Sequence, residues 1–252
     1  MSVAATAQIH PSCDLASDIE VGQFSVIGAG VEVGTDVRIG HHVVIHDETR
    51  LGDGVRVDDH AVIGKRPMRA ARSATTSAGG LEAASLGAGA VIGTGAVVYR
   101  GAEIGERVLV ADYATVRERV TVGDETIVGR GVAIENDSSV GAGCKLETNV
   151  YVTAYSTIED DVFVAPGVLT SNDAFLARTE ARKGAYAGPT VRESARIGVG
   201  AVLLPGVEVA SEAVVAAGAV LVGDAAGARV HLGVPARDVR AVAPEQLRAN
   251  GG

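Results

Sequence analysis

Residues 86–105, LGAGAVIGTGAVVYRGAEIG, place an aliphatic side chain at every sixth position: Leu86, Ile92, Val98 and Ile104. The register continues without a miss through Val110, Val116, Val122, Val128, Ile134, Val140, Leu146, Val152, Ile158 and Val164. Gly follows the aliphatic at Gly87, Gly93, Gly105, Gly123, Gly129 and Gly141. Four residues after the aliphatic stands a small or β-branched residue, as at Ala90, Ala96, Ala102, Val108, Ala114, Val120, Val132, Cys144 and Val150. A period of six fits neither a lone helix at 3.6 nor a lone strand at 2, so the units must bury their faces on one another. Each hexad reads as a short strand plus a corner, and three hexads close one 18-residue coil. The aliphatic points inward, the small residue fills the space near the corner, and Gly permits the corner dihedrals.

The same register runs outward on both sides. Before the central block it holds from Ile9 and Leu15 to Val57 and Ile63, and after it from Ile197 to Leu221. The total is 29 hexads, a little under ten coils, or roughly 45 Å at about 4.8 Å per coil. Register fails at 65–85 and again at 171–196, which read as two excursion loops thrown out of the solenoid. The expected organisation is a single all-β domain over 1–232 and a tail over 233–252, with a short helix from Pro244 to Ala249 capping the last open coil.

Composition narrows the function. The 252 residues carry a formal charge of −9 and few aromatics, 3% with no Trp, which suits a prism too narrow for large rings. An acidic chain argues against a partner that is tracked through its phosphates, so no nucleic acid is expected. No apolar run approaches the length of a membrane span and the N-terminus lacks a charged segment before an apolar one, so the expected location is cytoplasmic, away from the membrane. Cys13 and Cys144 both occupy the inward small position of a hexad and read as packed thiols.

The periodicity resembles the left-handed parallel β-helix of the hexapeptide-repeat acyltransferases. Handedness comes from that resemblance alone, because the general preference for right-handed crossovers points the other way. The second half is most similar to the N-acetyltransferases that act on nucleotide-linked amino sugars. The matching segments are KLETNVYVTAYSTIEDDVFVAPGVLTSND at 145–173, GPTVRESARIGVGAVLLPGVEV at 188–209 and GVPAR at 233–237. The resemblance implies a homotrimer with parallel axes, sites where neighbouring copies meet, and acetyl-CoA as co-substrate, with no metal. It also implies roles for Asn149, for Asn172 and Asp173 where the second loop begins, and for Arg237 near the nucleotide end of the coenzyme.

Asn149 can also be read from position. It lies three residues after Leu146, facing outward, and its counterparts one coil away are Gly131 and Gly167, which leaves a slot beside a polar amide. An asparagine at a corner is equally at home as a turn-former. Asn172 and Asp173 stand where the chain leaves the solenoid: Asp173 can meet an incoming amine or close an Asx turn, and Asn136 takes the place of Asn172 two coils earlier.

Histidine supports a second mechanism, an O-acyltransferase with a His general base. His42 and His60, 18 residues apart, stack on one face, and excising the first loop puts Asn149 on that face five coils below His60, roughly 24 Å away. One centre cannot use both, so the reading favours Asn149 with a substrate amine that needs no His. A zinc site like that of the carbonic anhydrases sharing this repeat needs a third ligand beside His41 and His46, and its position holds Ala5. Basic residues in the loops, Lys65, Arg66, Arg69 and Arg72 in the first and Arg178, Arg182 and Lys183 in the second, are candidate anion contacts. From a different class, a non-catalytic scaffold remains a reading of the same repeat, and saturable binding of coenzyme A separates it from an enzyme.

Overall fold

The computed structural model describes residues 2–71, 73 and 80–248; Arg72 and the residues from 249 on lie outside them. The chain winds into a three-sided prism whose sheets hold 13, 11 and 10 strands, nearly all of two residues. The first face contains Val91–Ile92 and Leu109–Val110, the second Thr115–Val116 and Ala133–Ile134, the third Glu103–Ile104 and Thr121–Val122. Strands pair in parallel with those one coil on, as Val91 with Leu109 and Ile92 with Val110. The inward aliphatics of successive coils, such as Ile92, Val110, Val128 and Leu146, are fully buried, as are the small residues at Ala90, Ala96, Val108 and Cys144. Among the described residues no helix is long and apolar enough to cross a membrane.

The solenoid runs to about 12 turns, longer than the period indicates. Two strands extend the hexad register, Ser2–Val3 and Thr190–Val191, whose valines stand six residues before Ile9 and Ile197, and two break it, Leu169–Thr170 and Arg229–Gly233. Thr170 stands where an aliphatic is expected, and its hydroxyl is held by the backbone, accepting from Thr153 N–H at 2.7 Å. The first loop is excised cleanly, because Leu51 pairs with Leu86, Val57 with Ile92 and Ile63 with Val98 across it. The second loop is shorter than the expected 171–196: the chain rejoins at Thr190–Val191, which pairs with Thr157–Ile158, so the excursion is 171–189. The end is also different. Arg229–Gly233 continues the first sheet in parallel and Ala236–Ala241 folds back on it antiparallel, so a hairpin covers the last coil while the expected helix is one 3-10 turn at Pro244–Gln246.

The glycine behind the aliphatic has a steric role. At Gly93 a Cβ would lie 2.6 Å from the backbone nitrogen of Asp112, and at Gly141 it would lie 2.3 Å from the Asp160 carboxylate. The left-handed backbone falls two residues later, at the third residue after the aliphatic, and often on a side-chain-bearing residue: His42, His60, Tyr113, Arg119, Asp137 and Asn149 all have positive φ. Aspartate at the intervening position caps the coil before it. Asp53, Asp59, Asp112, Asp124 and Asp160 accept from the N–H of Thr35, His41, Thr94, Glu106 and Ala142 at 2.7–2.9 Å.

Candidate functional site

The corner after the first face carries, coil by coil, Phe24, His42, His60, Gly95, Tyr113, Gly131, Asn149, Gly167, Gly200 and Gly218, each in the left-handed conformation. Its N-terminal half is filled with rings. Phe24 stacks on His42 at 5.1 Å and His42 on His60 at 5.0 Å between centroids. The C-terminal half is bare. Asn149 is exposed and its amide oxygen sits 2.5 Å from where a Gly131 Cβ would be, whereas nothing lies within 4 Å of that point at Gly167, Gly200 or Gly218. The flanking residues Ala165, Pro166, Val199, Ala216 and Ala217 are uncharged, so no aspartate caps this stretch. Beyond Gly218 the same corner meets the turn of the closing hairpin, and Arg237 begins the returning strand in an exposed position. Gly131, Asn149, Gly167 and the turn next to Arg237 therefore share one edge. His60 and Asn149 share it as well but stand four coils apart, about 19 Å, rather than the expected five.

Asn172, Asp173 and Lys183 lie elsewhere. Both loops leave the corner after the second face, so the two ends of that face separate these residues from Asn149. The Asn172 amide donates to the Ala154 carbonyl at 3.2 Å. Asp173 accepts from Phe175 N–H at 2.9 Å and Ala177 N–H at 2.8 Å, and those bonds, with Arg182 3.7 Å away, hold its carboxyl below the usual range. This is the Asx closure of a loop. Lys183 is exposed and pairs with Glu180. Among the described residues no three acidic, His or Cys side chains converge to hold a metal ion.

Between the two loops the second corner holds a charged cluster that the period does not announce. Glu118 is fully buried, and Arg117 donates to both its oxygens, at 2.8 and 3.1 Å. The same guanidinium reaches Glu135, one coil on, at 3.0 Å. Arg119 donates to Asp137 at 2.8 Å, and Asn136, also buried, donates to the same carboxylate oxygen at 2.6 Å. Burial pushes the Glu135 carboxyl above its ordinary value, with Glu118 adding to the rise and Arg117 opposing it. For Asp137 burial pulls upward too, yet the bonds from Arg119 and Asn136 leave it lowered. Tyr99 packs under the cluster with Arg117 and Lys65 over its ring at 4.9 and 5.0 Å. Tyr186 of the second loop stacks on Tyr155, and Arg100 ties the first loop down through the Leu81 carbonyl at 3.1 Å. The sequence does contain the signal: RER at 117–119 and END at 135–137 stand 18 apart with opposite charges facing at two of three places.

Residues 118–154 and 193–222 match the family model described as the hexapeptide repeat of succinyl-transferase. Solved structures share the whole winding. The UDP-N-acetylglucosamine acyltransferase of Arabidopsis is 17% identical with a TM-score of 0.62, over 99% of this chain and 77% of that one. The UDP-N-acetylglucosamine O-acyltransferase of Moraxella catarrhalis is 20% identical with a TM-score of 0.53, over 100% and 79%. This chain is a hexapeptide-repeat left-handed β-helix. The corresponding enzyme of Francisella novicida, 20% identical with a TM-score of 0.55 over 99% and 73%, shares the same β-helix. No curated protein sequence matches the β-helix chain significantly.

Proposed function

We propose that this β-helix is an acyl-CoA-dependent acyltransferase that works as a trimer and acylates, most simply with acetyl-CoA, an amino group on a nucleotide-linked sugar. The observation that carries the reading is the bare first corner: an open, uncapped edge about three coils long, roughly 14 Å, with the Asn149 amide at one end and the hairpin of Arg237 at the other. An extended pantetheine arm has this shape and needs this chemistry, a narrow slot without side chains and a few amide donors. Asn149 would orient the thioester or the attacking group, Gly131 and Gly167 would leave room for it, and Arg237 would meet the nucleotide phosphates.

The surface of the second face supports the trimer. Its outward residues include Val26, Val44, Val62, Val97, Tyr151, Leu169 and Val202, whereas the third face presents Glu32, Arg50 and Glu103 at the same place and the first face presents Glu20, Arg38 and Arg56 in its N-terminal coils before turning apolar at Val91, Leu109 and Phe163. Turning three second faces to a common axis covers that apolar strip and brings the first corner of each copy against the second corner of its neighbour. Parallel symmetry keeps heights matched, so Asn149 of one copy lies within one coil of the charged cluster of the next. Asn172 and Asp173 then shape the acceptor end by holding the second loop, and Lys183 adds positive charge for a diphosphate.

An O-acyltransferase is the second reading, supported by the similarity to the Moraxella catarrhalis O-acyltransferase. Calorimetry with acetyl-CoA tests the donor site. Saturable binding is expected, and Gly200→Asn, which fits a left-handed backbone but refills the slot, should weaken it about 10-fold, near 1.4 kcal/mol. Absence of binding by the parent protein would favour a scaffold. Treating products from a panel of nucleotide amino sugars with hydroxylamine then separates amide from ester, since only the ester is cleaved.

A further inference from the structure

The cluster between the loops contains an imbalance of charge. Arg117 is bound on two nitrogens by buried Glu118 and must also serve Glu135, so two carboxylates share one guanidinium. Glu118 has no exposed surface, whereas Glu135 keeps a quarter of its side chain accessible on the second face. Among the described residues, the other titratable groups packed on this cluster are the phenols of Tyr151 and Tyr99 and the ammonium of Lys65, which reaches the Tyr99 hydroxyl at 3.4 Å; Arg119 is committed to Asp137. Glu135 is thus the member of the cluster with both access and a weakly held charge.

We propose that Glu135 is the general base of the acyl transfer, with Arg117 and Glu118 as positioning residues that set its proton affinity; this rests on the acyltransferase reading above. The Glu135 carboxylate removes the proton from the acceptor nitrogen or oxygen as that atom attacks the thioester carbonyl carbon. The tetrahedral adduct collapses with cleavage of the carbon–sulfur bond, and the thiolate leaves with the proton from Glu135. An amide or ester and a free thiol result, and the carboxylate is restored. Burial raises the carboxyl toward the working pH, where a base is most effective. Buried Glu118 adds to the rise, because it occupies the guanidinium that would otherwise neutralise Glu135.

Two measurements test this on the full-length protein. In the first, carbon-detected NMR follows the carboxyl titration of Glu135. It should fall above the ordinary glutamate range and move down in Glu118→Gln, where Arg117 is released to Glu135. A titration in the ordinary range, or one that Glu118→Gln leaves unmoved, overturns the inference whatever the activity. In the second, kcat/KM is followed against pH. The acid limb should sit at the NMR value, shift to lower pH in Glu118→Gln, and accompany a loss of about 100- to 1000-fold in Glu135→Gln with acceptor KM little changed. Full activity of a folded Glu135→Gln overturns the inference but spares the acyltransferase reading, whereas failure of the parent protein to acylate any acceptor overturns both.

Discussion

At Asn149 one side chain has two neighbours without side chains, and its amide fills the place of one of them while facing open space at the other. Its backbone is already satisfied, the N–H donating to the Arg130 carbonyl at 2.9 Å, so the amide is free for a ligand. Asn149→Ala should therefore lower kcat/KM by roughly 10- to 1000-fold, the loss of one or two positioned hydrogen bonds, with only a small drop in melting temperature, from placing Ala in a left-handed backbone. His42→Ala and His60→Ala, five and four coils away, should leave the rate within a few-fold; a dead His variant beside an active Asn149→Ala would promote the His-base reading. Asn149 was legible because its outward place and glycine neighbours follow from counting in eighteens. Asp173 was legible only as a position: whether its carboxylate faces a ligand or its own loop depends on the path of residues 174–177, and those have no period to count. Cys144 is a packed thiol, its proton affinity pushed up to about 11 by burial.

Among the elements, the corner differs from the expected hexad most. Glycine behind the aliphatic and the left-handed residue two places later are separate devices, one for clearance and one for turning, and composition alone merges them. Aspartate at the place between them is a third device. Asp112 accepts from Thr94 N–H at 2.9 Å, and its removal should cost about 1 kcal/mol, seen as a lower denaturation midpoint in Asp112→Ala with an unchanged slope. One of these aspartates, Asp53, gives the acid response a sign. The Asp53 carboxyl is held below its ordinary value, first by the Thr35 N–H and then by the Thr35 hydroxyl, so its contribution is present above about pH 4 and is lost as pH falls through the depressed value. Acid titration of stability should accordingly show a loss below pH 4 that Asp53→Asn lacks. The charged cluster at Arg117, Glu118 and Glu135 escaped the sequence because the hexad pattern scores inward residues, and these are outward residues buried by loops.

For the whole molecule, the three faces of the prism differ in what they offer to a second copy. Leu169 and Tyr151 on the second face are exposed at 49% and 37%. If the proposed trimer forms through this face, Leu169→Glu should leave a monomer near 25.5 kDa by sedimentation, with activity lost together with assembly; a parent protein that is monomeric at micromolar concentration would remove the interface site. The winding itself was almost wholly readable from the period. The strand that enters the second loop and the C-terminal end were not, because Thr170 and His231 break either the residue type or the spacing while keeping the backbone pairing. Backbone pairing needs only extended residues, so it tolerates what a side-chain pattern does not.

Both excursions leave the same corner, after Ile63–Lys65 and after Leu169–Thr170, with whole coils between them. Their separation along the axis is therefore quantised. It can change only in steps of one coil, about 4.8 Å, each step adding or removing 18 residues without altering the angle at which either loop faces the cluster.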